Sequence, residues 1–500
     1  MPIYIQRMQS QLKLSTADRE FFALVTRAAF SNPFTDERAE LDRRIAGMEG
    51  EDPAQLMAAV NRAVSRHVEA LEQGAGADLR AYPAEDQQVL RYALLFDVFH
   101  RFADAFDEYI RKDLATGDGT PPVPFARDAL NLLSARGFSA AVACGYFAMF
   151  YQLRRAYFFI DQSMMGRTPV MKEFRRRLWN NVFTHETQWY ERHLWNRMED
   201  FSTLMLGETG TGKGAAAAAI GKSCFIPFDE NKLRFARSIA RTFVSINLSQ
   251  FPESLIESEL FGHRKGAFTG AVDHYDGVLS RCCPHGVIFL DEIGELSPAI
   301  QIKLLQVLQE RTYAPVGSHE SKRFPGRVIA ATNRTPEELR REGRMRADFY
   351  YRLCSDIITA PTLRERIQED PAELDLLASH ILQRQLGTTA PDVLDEVRAS
   401  LERAPGPDYP WPGNVRELGQ AVRRILLTGE YRGEVTDVDG HGTDEELIMH
   451  ALRHGTLTAN DLQAKYCALL HARFGTYGEV ARRTGLDWRT VKKYVERTKG

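Results

Sequence analysis

Apolar positions along the chain follow three successive rhythms. Over residues 1–165 they recur at helical spacing, as in AQLMAAVNRAVSRHVEALEQ (54–73) and again from Gln87 to Asp113 with Leu90, Leu94, Leu95 and Val98. Asp52-Pro53 supplies a helix N-cap followed by proline at the first helical position. The segment TGDGTPPVP, from Thr116 to Pro124, breaks the pattern. The aromatic stretch FAMFYQLRRAYFFI (147–160) then resumes it, and such a stripe reads as bundle core rather than as a ligand pocket. A charged, tryptophan-bearing helical stretch runs from Thr168 to Asp200. Beyond it the rhythm shortens to buried-strand runs at Leu204–Leu206, Thr242–Ile246, Val287–Leu290, Val328–Ala331 and Asp356–Thr359, separated by helical segments. That alternation predicts a mostly parallel sheet with helices on both faces.

The third rhythm is helical again. Residues 361–428 form a small helical subdomain, 429–442 a polar, glycine-rich linker, and a capping box at Thr443–Glu446 opens the last segment. There Leu462–Phe474, Tyr477–Thr484 and Asp487–Lys499 read as three helices, with Gly485-Leu486 as the tight turn and Ala481, Leu486 and Val491 packing them together. The expected architecture is therefore multi-domain: an α-helical region 1–165, an α/β unit 166–360, a helical lid 361–428, the linker 429–442 and a C-terminal helix-turn-helix at 443–500.

Composition narrows this picture only locally. The 500 residues are 44% hydrophobic and 26% charged with a formal charge of −3, so global charge names no partner. From His471 onward, however, eight Lys/Arg face three Asp/Glu, an excess that suits a polyanion. Within it Arg489, Thr490, Lys492, Lys493 and Arg497 are expected to meet the bases and phosphates of double-stranded DNA. Six cysteines without paired spacing, and no apolar run of spanning length, fit a reduced, cytoplasmic protein with no membrane partner. The pair Cys282-Cys283 with His285 is taken as structural, since adjacent thiols do not readily share a tetrahedral site.

The chemistry concentrates after the first strand. Gly207-Glu208-Thr209-Gly210-Thr211-Gly212-Lys213, between an apolar run and the alanines 215–219, has the form of a phosphate-binding loop. Glycines let backbone N–H groups wrap phosphates, the following helix N-terminus favours negative charge, and Lys213 reaches the β/γ-phosphates of ATP. Gly214 stands where such loops carry Ser or Thr, so Mg²⁺ must be held elsewhere. The run VIFLDE ends in two acids: Asp291 is expected near Mg²⁺, and Glu292 is expected to orient or deprotonate the attacking water. Asn333, ending VIAATN, suits a sensor of the γ-phosphate, or an ordinary turn.

Together with the loop, ESELFGHRKGAFTGA, GVIFLDEIGEL, RVIAATNR, FYYRL, LRER and YPWPGNVREL resemble the AAA+ domain of bacterial sigma-54-dependent transcriptional activators over about residues 168–428. Residues 443–500 resemble, more loosely, the Fis-like domain that ends such proteins. The resemblance implies that Gly266-Ala267-Phe268-Thr269-Gly270-Ala271 contacts the sigma-54 factor and that Asn333 is the first sensor. It further implies that Asn247 pairs with the catalytic glutamate, that Arg346 and Arg352 reach into a neighbouring subunit's site, and that Arg416 is a second sensor on the lid. An arginine acting in trans requires a ring, typically a hexamer. The partners so implied are the sigma-54 RNA polymerase holoenzyme and DNA upstream of promoters, with the region 1–165 regulating assembly or hydrolysis. Two other readings remain: a DNA-binding regulator that uses ATP only to control oligomerisation, without sigma-54, and an AAA+ remodeller of another protein. The chain departs from the family pattern at Gly214, Arg264 and Ser280, where acids are expected, and in an insertion between Ser223 and Arg241.

Overall fold

The computed structural model describes residues 12–49, 52–74, 76–388, 390–433 and 458–497. The capping box expected at Thr443–Glu446, most of the expected linker and the end of the last expected helix lie outside them. The chain divides into two units: Met1–Arg398 with Pro410–Leu426, and Ala399–Tyr409 with Leu427–Gly500.

In the first unit, five strands form one parallel sheet: β1 (Thr203–Leu206), β2 (Phe243–Asn247), β3 (Val287–Asp291), β4 (Arg327–Thr332) and β5 (Asp356–Thr359), in the order β2-β3-β4-β1-β5. Side chains alternate across it, as a period of two requires. Met205, Val287, Phe289, Ile329 and Ala331 face one apolar cluster, whereas Leu204, Ile288, Leu290, Val328 and Ala330 face another. The second cluster is closed by the helices Glu253–Phe261, Pro298–Glu310 and Ala347–Leu353. The lid helices begin at Leu363, Ala372, Pro391 and Asn414.

The first cluster has a different cover. It takes in the helix Lys213–Gly221 and then runs on, without a break, through the helices of the N-terminal region. Those helices are Thr16–Phe30, Asp36–Ala46, Pro53–Gln73, Ala84–Arg101, Ala103–Thr116, Ala126–Ala135 and Ala140–Ser163. Asp52 caps the third of them, its Oδ1 accepting from the Ala54 N–H at 3.0 Å. In the last, Phe147, Phe150, Tyr151, Phe159 and Ile160 are buried, so the aromatic stripe is core. The expected boundary at 165/166 falls in a short connection before the helix Pro169–Phe183, whose Asn181 ties Thr203 of β1 (3.0 Å) to Asp356 of β5 (2.7 Å).

The insertion after Ser223 has a definite shape. Phe228–Asp229 and Arg234–Phe235 pair as a small antiparallel hairpin. Its two phenylalanines enter the N-terminal aromatic core, where the Phe235 ring lies 3.9 Å from that of Tyr151 and Phe228 4.7 Å from Phe147. Val123 N–H donates to the Leu233 carbonyl at 2.9 Å, and Arg234 to the Thr120 carbonyl at 3.1 Å.

The second unit contains the helices Ala459–Phe474, Tyr477–Thr484 and Trp488–Arg497 around Cys467, Leu470, Val480, Val491 and Val495, with Ala481 and Leu486 packed against them.

Candidate functional site

The sheet's C-terminal edge gathers the chemistry. Register sets Leu206 beside Thr332 and Asn247 beside Asp291, so the segments that follow β1, β2, β3 and β4 emerge together. After β1 the chain turns through Gly207 to Gly212 and enters the helix at Lys213. Gly210 has φ +83°, and a Cβ there would lie 2.1 Å from the Gly413 carbonyl oxygen, so only glycine admits the lid this close. By contrast, a Cβ on Gly214 would meet nothing nearer than the Phe289 ring at 3.7 Å; packing does not dictate glycine there.

Lys213 is 7% exposed, and its Nζ donates to the carbonyls of Gly207 (2.7 Å) and Glu208 (3.0 Å), holding the loop in a ring. Burial lowers its pKa, partly offset by the charges of Glu292 and Asp291. Glu292 experiences the converse. Burial, then Asp291, pushes its carboxyl above the ordinary value of 4.5, opposed by Lys213 and by the Asn333 backbone N–H. Its φ of +58° is unusual for a non-glycine residue, a strain of about 1–3 kcal/mol that is typically found where function fixes the backbone. Two carboxylates beside the loop form an oxygen donor set suited to a hard divalent cation, with Asp291 ending the strand.

The remaining expected residues are distributed as follows. Asn333 is exposed just past β4. The Asn247 Oδ1 accepts from the backbone N–H of Ser249 (3.0 Å) and its hydroxyl (2.7 Å), capping the next turn. Arg346 pairs with Asp348 at 2.8 Å on the surface, whereas Arg352 donates to the Leu308 carbonyl at 2.8 and 3.1 Å. Arg416 is exposed, with its Cβ 3.0 Å from the position a Gly210 Cβ would take.

Four contacts are not legible in the sequence. Asn414 is fully buried, and its Nδ2 donates to Glu208 Oε2 (3.0 Å) and to the Thr209 carbonyl (3.1 Å) while its Oδ1 accepts from Leu363 N–H (2.8 Å). Arg364 donates to Glu208 Oε1 at 2.7 Å. Glu208 thereby latches the phosphate-loop backbone to two lid motifs. The signal was present in the left-handed φ of Asn414 (+53°), a conformation asparagine tolerates, but sequence does not print φ.

The loop 266–271 is closed at its base by Gly266 N–H donating to the Ala271 carbonyl at 2.8 Å. Gly266 (φ +81°) and Gly270 (φ +105°) turn the chain at either side of the tip. Phe268 is 38% exposed with its ring 5.0 Å from His263, and Thr269 is exposed beside it. Arg264, at the loop's base, pairs with Glu320, and the Ser280 hydroxyl donates to the Gly277 carbonyl at 2.8 Å.

On the last helix Arg489, Lys492, Lys493 and Arg497 are exposed and Thr490 half-buried. Lys492 lies 3.7 Å from Glu496, and Arg497 2.7 Å from Asp461 of the first helix of the trio. Among the described residues, no helix is long and apolar enough to cross a membrane.

Residues 186–359 match the family described as the Sigma-54 interaction domain. The chain is 40% identical over 228 residues to the Regulatory protein AtoC of Escherichia coli (strain K12), 45% of each chain. It is 39% identical over 273 residues to the Nif-specific regulatory protein of Klebsiella pneumoniae, 54% of this chain and 45% of that one. With the Transcriptional regulatory protein ZraR of Klebsiella oxytoca it shares 36% identity over 348 residues, 67% of this chain and 68% of that one. The chain thus spans under half the length of the first two relatives and about two thirds of the third.

Proposed function

This chain belongs to the sigma-54-dependent transcriptional activators, and from that premise we propose that it hydrolyses ATP in a ring of like subunits, a hexamer, to remodel the sigma-54 RNA polymerase promoter complex. The reading is carried by the displayed tip Phe268-Thr269, an aromatic ring and a hydroxyl held out on a loop closed at its base by a backbone hydrogen bond.

In this account Lys213 exchanges its two carbonyl partners for phosphate oxygens, and the N–H groups from Gly207 to Gly214 wrap the phosphates. Mg²⁺, which would neutralise phosphate charge, would be held by Asp291. Glu292, whose pKa burial and Asp291 raise, takes the proton of the attacking water, with Asn333 beside it and Asn247 one strand away to reorient it. Of the two trans-acting candidates, Arg346 is the readier to leave home. Its pair with Asp348 is exposed and screened by solvent, whereas Arg352 also secures the end of the helix Pro298–Glu310. Arg416 approaches from the lid. Arg489, Thr490, Lys492, Lys493 and Arg497 hold DNA upstream of the promoter, with Arg497 leaving Asp461 to do so. Such a protein works in the cytoplasm.

Open-complex formation by sigma-54 polymerase tests this, comparing ATP with a non-hydrolysable analogue and the parent chain with Thr269→Ala. Opening with ATP alone, lost in Thr269→Ala although ATP turnover persists, is the expected result. Opening that survives the substitution removes the tip from the mechanism.

A further inference from the structure

The phosphate-loop helix Lys213–Gly221 is almost all alanine and glycine beyond its first residue: KGAAAAAIG. Ala216, Ala217, Ala219 and Ile220 are buried, so most of the helix is packed, with Gly214 and Ala215 exposed at its start. Methyl groups make shallow ridges, and a helix this smooth gives its neighbours little to interlock with. Sliding or rotation must then be resisted at its ends. Its N-terminal end is fixed by the loop itself.

Its C-terminal end is fixed by another part of the chain. Arg155, from the middle of the helix Ala140–Ser163, is fully buried and donates from Nη1 to the Lys222 carbonyl at 2.6 Å and from Nη2 to the Cys224 carbonyl at 2.7 Å. One turn away, Gln152 Nε2 donates to the Ser223 carbonyl at 3.0 Å. Three consecutive exits from the helix are thereby held by two side chains of the N-terminal region. The guanidinium is supported in turn. It lies 4.3 Å from the centre of the Tyr151 ring, and the Tyr151 hydroxyl donates to Asp113 at 2.9 Å. Asp113 also accepts from the Ile239 N–H, at the far end of the insertion, at 3.1 Å. A guanidinium suits this place because its planar fork meets two carbonyls at once and it is attracted to the negative end of the helix dipole.

We propose that Arg155 is a positioning residue of the ATP site, setting the phosphate-loop helix from behind, so that the N-terminal helices are part of the ATPase rather than a detachable sensor. The inference rests on the reading of Gly207–Lys213 as the nucleotide loop. Arg155 touches no nucleotide; it acts through the helix, about 14 Å long at 1.5 Å per residue, whose other end carries Lys213.

The full-length chain is assayed for ATP binding, kcat and KM as parent, Arg155→Met and Arg155→Lys, with thermal unfolding followed in parallel. Arg154→Met serves as the control, because Arg154 is the adjacent residue and pairs inward with Asp107 at 2.5 and 2.6 Å without meeting the phosphate-loop helix. Arg155→Met is expected to raise KM about tenfold and lower kcat by a similar factor, Arg155→Lys to recover most of the loss, and Arg154→Met to stay within about twofold of the parent. Equal effects of Arg155→Met and Arg154→Met overturn the proposal. Should Arg155→Met not fold, Arg155→Gln, whose amide cannot reproduce the fork onto both carbonyls, decides: a KM shifted at least about threefold beyond that of Arg154→Met supports the proposal, and an equal KM overturns it. A parent chain that binds no ATP would instead refute the nucleotide reading itself, with Lys213→Ala as its reference.

Discussion

The two ends of the phosphate-loop helix are built on opposite plans. Its front is made of residues adjacent in sequence, glycines and one lysine, exposed enough for a ligand and joined by the acids of a neighbouring strand end. Its back is made of residues 67 and 69 positions apart from those they hold, fully buried, and set in an aromatic core shared with the insertion hairpin. The front is a motif, readable wherever it occurs. The back is a docking, and nothing in GKSCFIPFDENKLRF announces what it docks against. A site can thus be local in its chemistry and non-local in its support.

The largest effect expected from this contrast is on the fragment 166–500. Removing the N-terminal helices bares Ile220, Ile226, Phe228 and Phe235, all now buried, and at about 1.5–3 kcal/mol each that rivals the roughly 5–15 kcal/mol stability of a whole domain. The fragment should aggregate or lose its near-ultraviolet circular dichroism; a soluble fragment with native dichroism and ATP turnover would break the comparison.

Next comes Glu292→Gln at the front. ATP binding should persist while turnover falls by about 10²–10⁴, as for loss of a general base, in contrast to Lys213→Ala, which should lose binding. A base must be deprotonated to act, and Glu292 is held above 4.5, so the rising acid limb of kcat/KM should be centred above that value. A limb at or below it would contradict the role.

The smallest effects concern the latch. Asn414→Ala leaves buried partners unmet and should cost about 1–3 kcal/mol in thermal or denaturant unfolding. Glu208→Gln gives up a half-exposed pair with Arg364 worth about 0.2–1 kcal/mol. The reverse order would mean that the latch is organised by charge rather than by the buried amide.

These contrasts also mark what could be read from sequence. The strand runs were legible because β1, β3 and β4 are buried on both faces and so continuously apolar; every end of the five strands lies within one residue of the expected run, the small shifts arising because strand ends meet loops gradually. The phosphate loop, the acid pair and the tip were legible because chemistry fixes residue type and spacing at once. The cover of the sheet was not. Phe228 and Phe235 read as an insertion of unknown purpose, and Arg155 as one more charge in an aromatic helix, because partners distant in the chain leave no periodicity. Asn414 lies in the same motif as Arg416, WPGNVREL, but a charge points to a phosphate in a way that an amide does not.

Hydrogen exchange on the full chain carrying Glu292→Gln, with and without ATP, tests most directly whether the nucleotide loop and the N-terminal helices act as one unit. Protection should rise together in Lys213–Gly221 and in Ala140–Ser163 when ATP binds. A rise confined to the loop and its helix, with Ala140–Ser163 unchanged, would contradict the account.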